Sequence, residues 1–341
     1  KGVVFTNNEI KEIKGNGDGL LLWARKEPGG IYVNSLLENI TIQNNNIHNT
    51  RRSGIEAAGE FKNSTISNNY IHDNGFTPEP GTPGAKYGNG IVLFKDHAES
   101  DSSVRDHITI TGNAISNNTH SGVYLSGSSI NNSISSNNIE NNKWGIVLDK
   151  DPNSSYSPDP NPAKPVDNTT GGNLVNNNTI SGNSDIGVYN SFSANINATQ
   201  NWWGAKNGPS GGVSDPQTGK VASGNGDKIS SNVRFDPWSQ IPVGFYDKKY
   251  SNGTNTLWVN TSTGKFIFSF SGYASQSFCS GTKAIPKIRA SLYMTSDKCS
   301  EDAKDRINIS GNVYGTVKIT LTDRGPSFRD MAFRNYTLNP L

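Results

Sequence analysis

An apolar residue, an Asn three positions later and an apolar residue two after that form a phrase that recurs along the first two-thirds of the chain. The Asn members are Asn8, Asn45, Asn69, Asn113, Asn137, Asn178 and Asn201. Phe5, Ile42, Ile66, Ile110, Ile134, Val175 and Ala198 precede them, and Ile10, Ile47, Ile71, Ile115, Ile139, Ile180 and Trp203 close the phrase. The shortest spacings between successive Asn are 23 and 24 residues, and longer ones read as one period plus an inserted loop. A second phrase follows in each repeat: Gly19-Leu-Leu-Leu, Gly54-Ile-Glu-Ala, Gly90-Ile-Val-Leu, Gly122-Val-Tyr-Leu, Gly145-Ile-Val-Leu and Gly187-Val-Tyr-Asn. Apolar residues alternating at period two predict short strands with one buried face. No useful length of residues 1–204 has helical periodicity.

Short strands, polar corners and a period in the low twenties predict a solenoid of parallel coils, with one Asn per coil stacked as a ladder. On these Asn-x-Ile corners the sequence resembles a right-handed parallel β-helix of the pectate-lyase type over residues 1–238; the handedness is what the resemblance implies. The solenoid is expected to close between Asn201-Trp-Trp-Gly and Trp238, with Trp202 and Trp203 covering the last coil rather than binding sugar. From residue 240 the pattern changes to longer strands such as Lys265-Phe-Ile-Phe-Ser-Phe and Thr316-Val-Lys-Ile-Thr-Leu-Thr. The predicted architecture is therefore all-β: a parallel β-helix over 1–239, then a small antiparallel β-domain over 240–341, a sandwich or irregular sheet packed on the solenoid.

Composition refines this picture only in places. The hydrophobic fraction is 32%, but its regular spacing argues for folded repeats rather than disorder. A net charge of +2 without a Lys/Arg run gives no footprint for nucleic acid, and no apolar run is long enough to span a membrane. The chain starts at Lys1 almost directly on a repeat, which reads as a mature or trimmed fragment. Asn-x-Ser/Thr sequons such as Asn39, Asn63 and Asn335 point weakly to a secreted or cell-surface protein. Cys279 and Cys299 are either a disulfide or two buried thiols. Oligomeric state stays open.

Candidate chemistry centres on the corner of IQNNNIHNTRRSGIEAA. In the strand after each Gly, the second residue should face outward, giving a row of Leu21, Glu56, Val92, Tyr124, Val147 and Tyr189. Glu56 is the only charge in it. Partly desolvated there, its carboxyl would titrate high and act as an acid; the alternative is a surface pair with Arg51 or Arg52. Asp18, Asp73, His48 and His72 are expected to converge on the same place, with Tyr87, Asp96 and His97 arriving on loops. Loops near Trp23–Gly30, Gly75–Tyr87, Lys95–Asp106 and Asp149–Gly171 should wall a groove suited to a polymer. Glu56, Asp18, Asp73 and His72 are the catalytic candidates. Arg51, Arg52, His48, Trp23, Tyr87, Asp96, His97 and Tyr124 are the substrate-binding ones.

Two chemistries fit these residue types. Glycoside hydrolysis needs two carboxylates flanking the scissile bond, and Arg can grip a uronic-acid carboxylate. β-Elimination or epimerisation needs a base such as His72, with Tyr87 as acid. Neither reading requires a cofactor. Calcium is a possibility, because Asp149-x-Asp151-x-Asn153 begins like a calcium loop but fails at Ser154 and Pro160. The phrases IHNTRRSGIEAAG and NNYIHDNG, within residues 40–100, also resemble the β-helix domain of archaeal disaggregatases. That resemblance implies a secreted hydrolase of a chondroitin-like matrix polymer. A non-catalytic surface-layer or adhesin solenoid is the third reading.

Overall fold

The computed structural model describes residues 2–13, 17–23, 36–75, 88–94, 104–150, 170–240, 242–243, 248–259, 265–271, 276–282, 291–296, 306–312, 315–324 and 331–340. The chain divides into two compact units, Lys1–Phe245 and Tyr246–Leu341. Among the described residues every regular element is a strand.

In the first unit the coils stack into four parallel sheets. The coil from residue 36 to 58 sets the pattern: Leu36–Glu38 lies in the fourth sheet, Ile40–Gln43 in the first, Asn46–His48 in the second and Ile55–Ala58 in the third. Neighbouring coils pair in register, so Ile42 meets Ile66, Ile47 meets Ile71 and Ile55 meets Ile91. These rows are almost wholly buried and form one continuous core. Each row gains the full transfer free energy of its side chains, about 1.5–3 kcal/mol for each Ile.

Polar corners hold the coils together. Asn69 Oδ1 accepts both the backbone N–H and Nδ2 of Asn45, at 3.0 Å each, and Asn45 Oδ1 does the same for Asn8. The chain of acceptors continues through Asn113, Asn137 and Asn178 to Asn201. The residue before each rung turns the corner at positive φ: Asn7, Asn44, Asn68, Gly112, Ser136, Asn177 and Gln200. Asn tolerates that conformation better than other side chains, which explains the Asn-Asn doublets.

Five residues after the five inner rungs, Asn45 to Asn178, lies a second ladder that sequence analysis missed, running Thr50, Asn74, Asn118, Asn142, Asn183. It ends on Asp227, whose Oδ2 accepts Asn183 N and Nδ2 at 3.0 and 2.7 Å. A third, partial ladder lies five residues before the first, with Ile108 N donating to Asn132 and Asn132 N to Asn173. The fourth sheet was also missed. Its register row reads Leu37, Phe61, Arg105, Ser129 and Thr170, so no apolar periodicity marks it. Arg105 is wholly buried and donates through Nη2 to the Gly127 carbonyl.

At the C-terminal end of the solenoid Trp202 and Trp203 are buried, and Trp203 belongs to the core cluster. Asp215 staples the closing segment: Oδ1 accepts Gln217 N and Thr218 N, and Oδ2 accepts Phe235 N and Asp236 N. Burial pushes this carboxyl up, but the four backbone donors together outweigh it and hold it below the usual aspartate value.

The second unit is an eight-stranded antiparallel sheet whose two four-stranded halves join where Tyr250 and Ser251 pair with Pro340 and Asn339. Its order is Gln276–Thr282, Lys265–Ser271, Thr256–Val259, Lys248–Ser251, Met331–Pro340, Val317–Arg324, Arg306–Asn312, Ser291–Ser296. The Cα traces of its two end strands come within 8 Å of each other, so the sheet curls on itself. The inner face gathers Tyr250, Leu257, Phe266, Phe268, Ile309 and Ile319 into a single core. Strands of both halves contribute to that core. The Cys279–Cys299 pairing lies outside the described residues.

Two outcomes follow from the corners. Asn137→Ala removes the acceptor for Asn113 N and Nδ2 and three donations of its own; urea unfolding should show a loss of about 3 kcal/mol, the scale of leaving buried polar groups unsatisfied. For Asp215, a folded pKa below the unfolded value adds stability above about pH 4, lost as pH falls through the folded pKa. Asp215→Asn should therefore lower the thermal midpoint at neutral pH, with the gap from the parent narrowing below about pH 4.

Candidate active site

The corner that leads into the third sheet brings Asp18, Arg52 and Glu56 together. Asp18 is the residue before Gly19, and its counterparts in later coils are Ser53, Asn89 and Ser121. These positions form a short ladder of their own. Ser53 N donates to Asp18 Oδ1 at 2.9 Å, and Ser121 N and Oγ donate to Asn89 Oδ1 at 3.1 and 2.5 Å. One oxygen of Asp18 is thus committed to the coil stack. The other lies 3.7 Å from Arg52 Nη1.

Arg52 Nη2 lies 3.8 Å from Glu56 Oε2, an i,i+4 pair across the corner. The Glu56 and Asp18 carboxyls are also within hydrogen-bond reach of each other. Their side chains are 6% and 1% exposed, against 26% for Arg52, so the guanidinium is the open edge of the group. Burial pushes the Asp18 carboxyl above the usual aspartate value, and Arg52, Ser53 N and Glu56 recover only part of that. Two carboxyls this close hold one proton more readily than two charges, and titrate as a unit. This arrangement suits proton donation. It does not suit two carboxylates flanking a sugar bond, which must stand about 5–9.5 Å apart.

The outward row of the third sheet has the register expected of it: Leu21, Glu56, Val92, Tyr124, Val147 and Tyr189 pair coil to coil. The row is not an open groove floor. Val92, Tyr124, Trp144, Val147 and Ile186 form a separate apolar cluster outside the coil. Tyr124 is 1% exposed within it, so it is a packing residue here and not a sugar platform.

His48, His72 and Asp73 do not join the carboxyl pair. Residues 49–54 turn the chain from the second sheet to the third, leaving the two histidines on the outward face of the second. There the rings stack across adjacent coils, with centroids 4.8 Å apart and planes 5° from parallel, and Tyr70 stacks on His72. His72 Nδ1 faces Asp73 Oδ2 at 2.5 Å and Nε2 faces Asn46 Oδ1 at 3.1 Å; His48 faces Glu9 and Asn49. Asp73, at φ 53°, occupies the same corner slot as Asn49 and Asn117. Its place is set by the turn, and its carboxylate serves His72. Burial holds the His72 imidazole below the usual histidine value, with Asp73 opposing and His48 adding to the shift.

Arg51 lies at the same corner, its N–H bonded to Ile13 O. Tyr87, Asp96 and His97 lie outside the described residues, as do residues 151–153 of the calcium-like loop and the side chain of Trp23. Among the described residues no group of three or more acidic, His or Cys side chains is placed to hold a metal ion. The partners that sequence analysis missed are Ser53, Asn46 and Tyr70. Their only signal was a fixed offset from a Gly or an Asn already singled out. No described helix is long and apolar enough to cross a membrane.

A pH titration of the His72 ring by NMR should give a midpoint below the ordinary histidine value of about 6.5. Asp73→Asn should lower it further, since that carboxylate favours the charged ring.

Residues 1–159 match a family described as "Right handed beta helix region". No curated protein matches the chain. Among solved structures, the chain is similar to the enzymatically active domain of bacteriophage CBA120 tailspike protein 2, at 11% identity and a TM-score of 0.33, covering 89% of this chain and 51% of that one. It is also similar to the full-length tailspike protein 2 from an Escherichia coli O157:H7 bacteriophage, at 12% identity and a TM-score of 0.30, covering 89% and 45%. The chain therefore spans about half the length of these proteins. Its first unit is a parallel β-helix, with residues 1–159 matching the right-handed family, and an antiparallel β-sheet unit follows in the chain.

Proposed function

We propose that this protein cleaves a polysaccharide by hydrolysis, with the Asp18–Glu56 pair as the proton donor. The observation that carries the reading is the shared corner of Asp18, Glu56 and Arg52. Glu56, in the outward row, gives its proton to the glycosidic oxygen as the carbon–oxygen bond breaks. Asp18 sits behind it, fixed by Ser53 N, and its burial favours a proton on the pair. Water adds its oxygen to the sugar carbon and loses a proton that restores the carboxyl pair, leaving a new reducing end.

Arg52, the more open member, is suited to a carboxylate on the substrate, so a uronic-acid-containing polymer is the substrate class. The likeness of residues 40–100 to archaeal disaggregatases supports a chondroitin-like polymer and a place outside the cell, where cleaving that matrix would disperse cells.

Incubation with chondroitin and other uronic-acid polymers should release reducing ends without the ultraviolet absorbance of an unsaturated product. Absorbance rising with the reducing ends would instead mean elimination, and silence on every polymer would leave a binding solenoid. Glu56→Gln should lower kcat by at least about 100-fold, the scale of losing a positioned acid. Asp18→Asn removes the like charge beside Glu56. The alkaline limb of the kcat/KM profile should then move to lower pH.

A further inference from the structure

We infer that the outward face of the first sheet is a second, non-catalytic binding surface, for a neutral polysaccharide chain laid flat along the solenoid axis. In four successive coils this face reads Thr41-Ile-Gln43, Thr65-Ile-Ser67, Thr109-Ile-Thr111 and Ser133-Ile-Ser135. The central Ile points into the core in each, so the flanking side chains stand outward in two rows. Register pairs Thr41, Thr65, Thr109 and Ser133 in one row and Gln43, Ser67, Thr111 and Ser135 in the other. Parallel strand geometry sets the grid at about 4.8 Å along the axis and about 6.7 Å across it.

Three observations point to the ligand. First, none of these side chains has an intramolecular hydrogen bond among the described residues, although each carries donor and acceptor capacity. Ser67, only 7% exposed, holds its hydroxyl in the floor between Gln43 and Thr111. Second, the strands of this sheet place no ionisable side chain outward from Thr41 through Asn197, the first being Arg234. The second sheet carries Glu9, Lys11, His48, His72 and Glu140 by comparison. A charged polymer finds no counter-ion here, whereas sugar hydroxyls, themselves donors and acceptors, match the array. Third, the rows stand on short strands locked by the Asn ladder, so little side-chain or backbone freedom is lost on binding. The inference stands apart from the proposed chemistry, since it concerns another face and is read by binding alone.

The test is retention of the 341-residue protein on microcrystalline cellulose and on chitin at physiological salt. The parent should be retained on at least one, and Glu56→Gln equally so. A Thr65→Lys/Thr109→Lys double variant should bind at least tenfold more weakly, while Lys62→Ala, on the fourth sheet, should bind like the parent. Thermal unfolding of each variant checks that the fold is kept. Should the double variant not fold, shifts of the Thr65 and Thr109 methyl signals of the parent on adding cello- or chito-oligosaccharides serve instead. No retention on either matrix, equal retention of the double variant, or shifts confined to other sheets would overturn the inference. Arrest of ice growth without glycan retention would also overturn it, assigning the array to water.

Discussion

A buried amide at a coil corner must find a partner in the next coil, and this requirement shapes the whole solenoid. Each Asn rung answers it twice, because one Oδ1 takes both the N–H and the Nδ2 of the rung before it. Nδ2 then reaches back to a carbonyl such as Ile42 O or Ile66 O. Water cannot substitute there, so each rung must lie directly over the last. Once the rungs align, the Ile rows align, and the five-residue offset between corners leaves room only for strands of two to four residues on the first, second and fourth sheets.

The carboxyl pair is a by-product of the same rule. Asp18 occupies a corner position whose neighbours are Ser53, Asn89 and Ser121, and one of its oxygens does the work of an amide oxygen. An Asn there would hold the corner equally well. The carboxylate adds a second oxygen facing Arg52 and Glu56, in a place too dry for a free charge. The placement of these charges is therefore fixed by the backbone geometry of the corner. Asp227 repeats the device at the far end of another ladder, where burial also raises its carboxyl above the usual aspartate value.

The faces of the solenoid differ in chemistry while sharing one repeat. The first sheet turns a neutral hydroxyl and amide grid outward, the second a stack of histidines with acidic partners, and the third an apolar cluster beside the carboxyl pair. A solenoid permits this because a side chain facing out answers only to its neighbours in the row above and below. The inward rows have no such freedom. Where the row of Phe61 turns polar, Arg105 is accommodated through the Gly127 carbonyl.

What the sequence determined by itself was much of what repeats: the coil period, the first Asn ladder, the inward Ile rows and the outward row through Glu56, although the second ladder, equally periodic, went unread. Periodicity reports these because each position recurs in the same environment. Features that occur once were not legible. Nothing in residues 48–56 says whether the corner leaves His48 beside Glu56 or on another face; the turn of residues 49–54 decides it, and it separates the histidines from the carboxyls. The burial of Tyr124 likewise shows only in the stack, where it clusters with Val92, Trp144, Val147 and Ile186 across neighbouring coils. The fourth sheet escaped notice because its inward row abandons apolar residues after Phe61. Only the stacked coils decide these matters, since each depends on which side chains the neighbouring turns bring into contact.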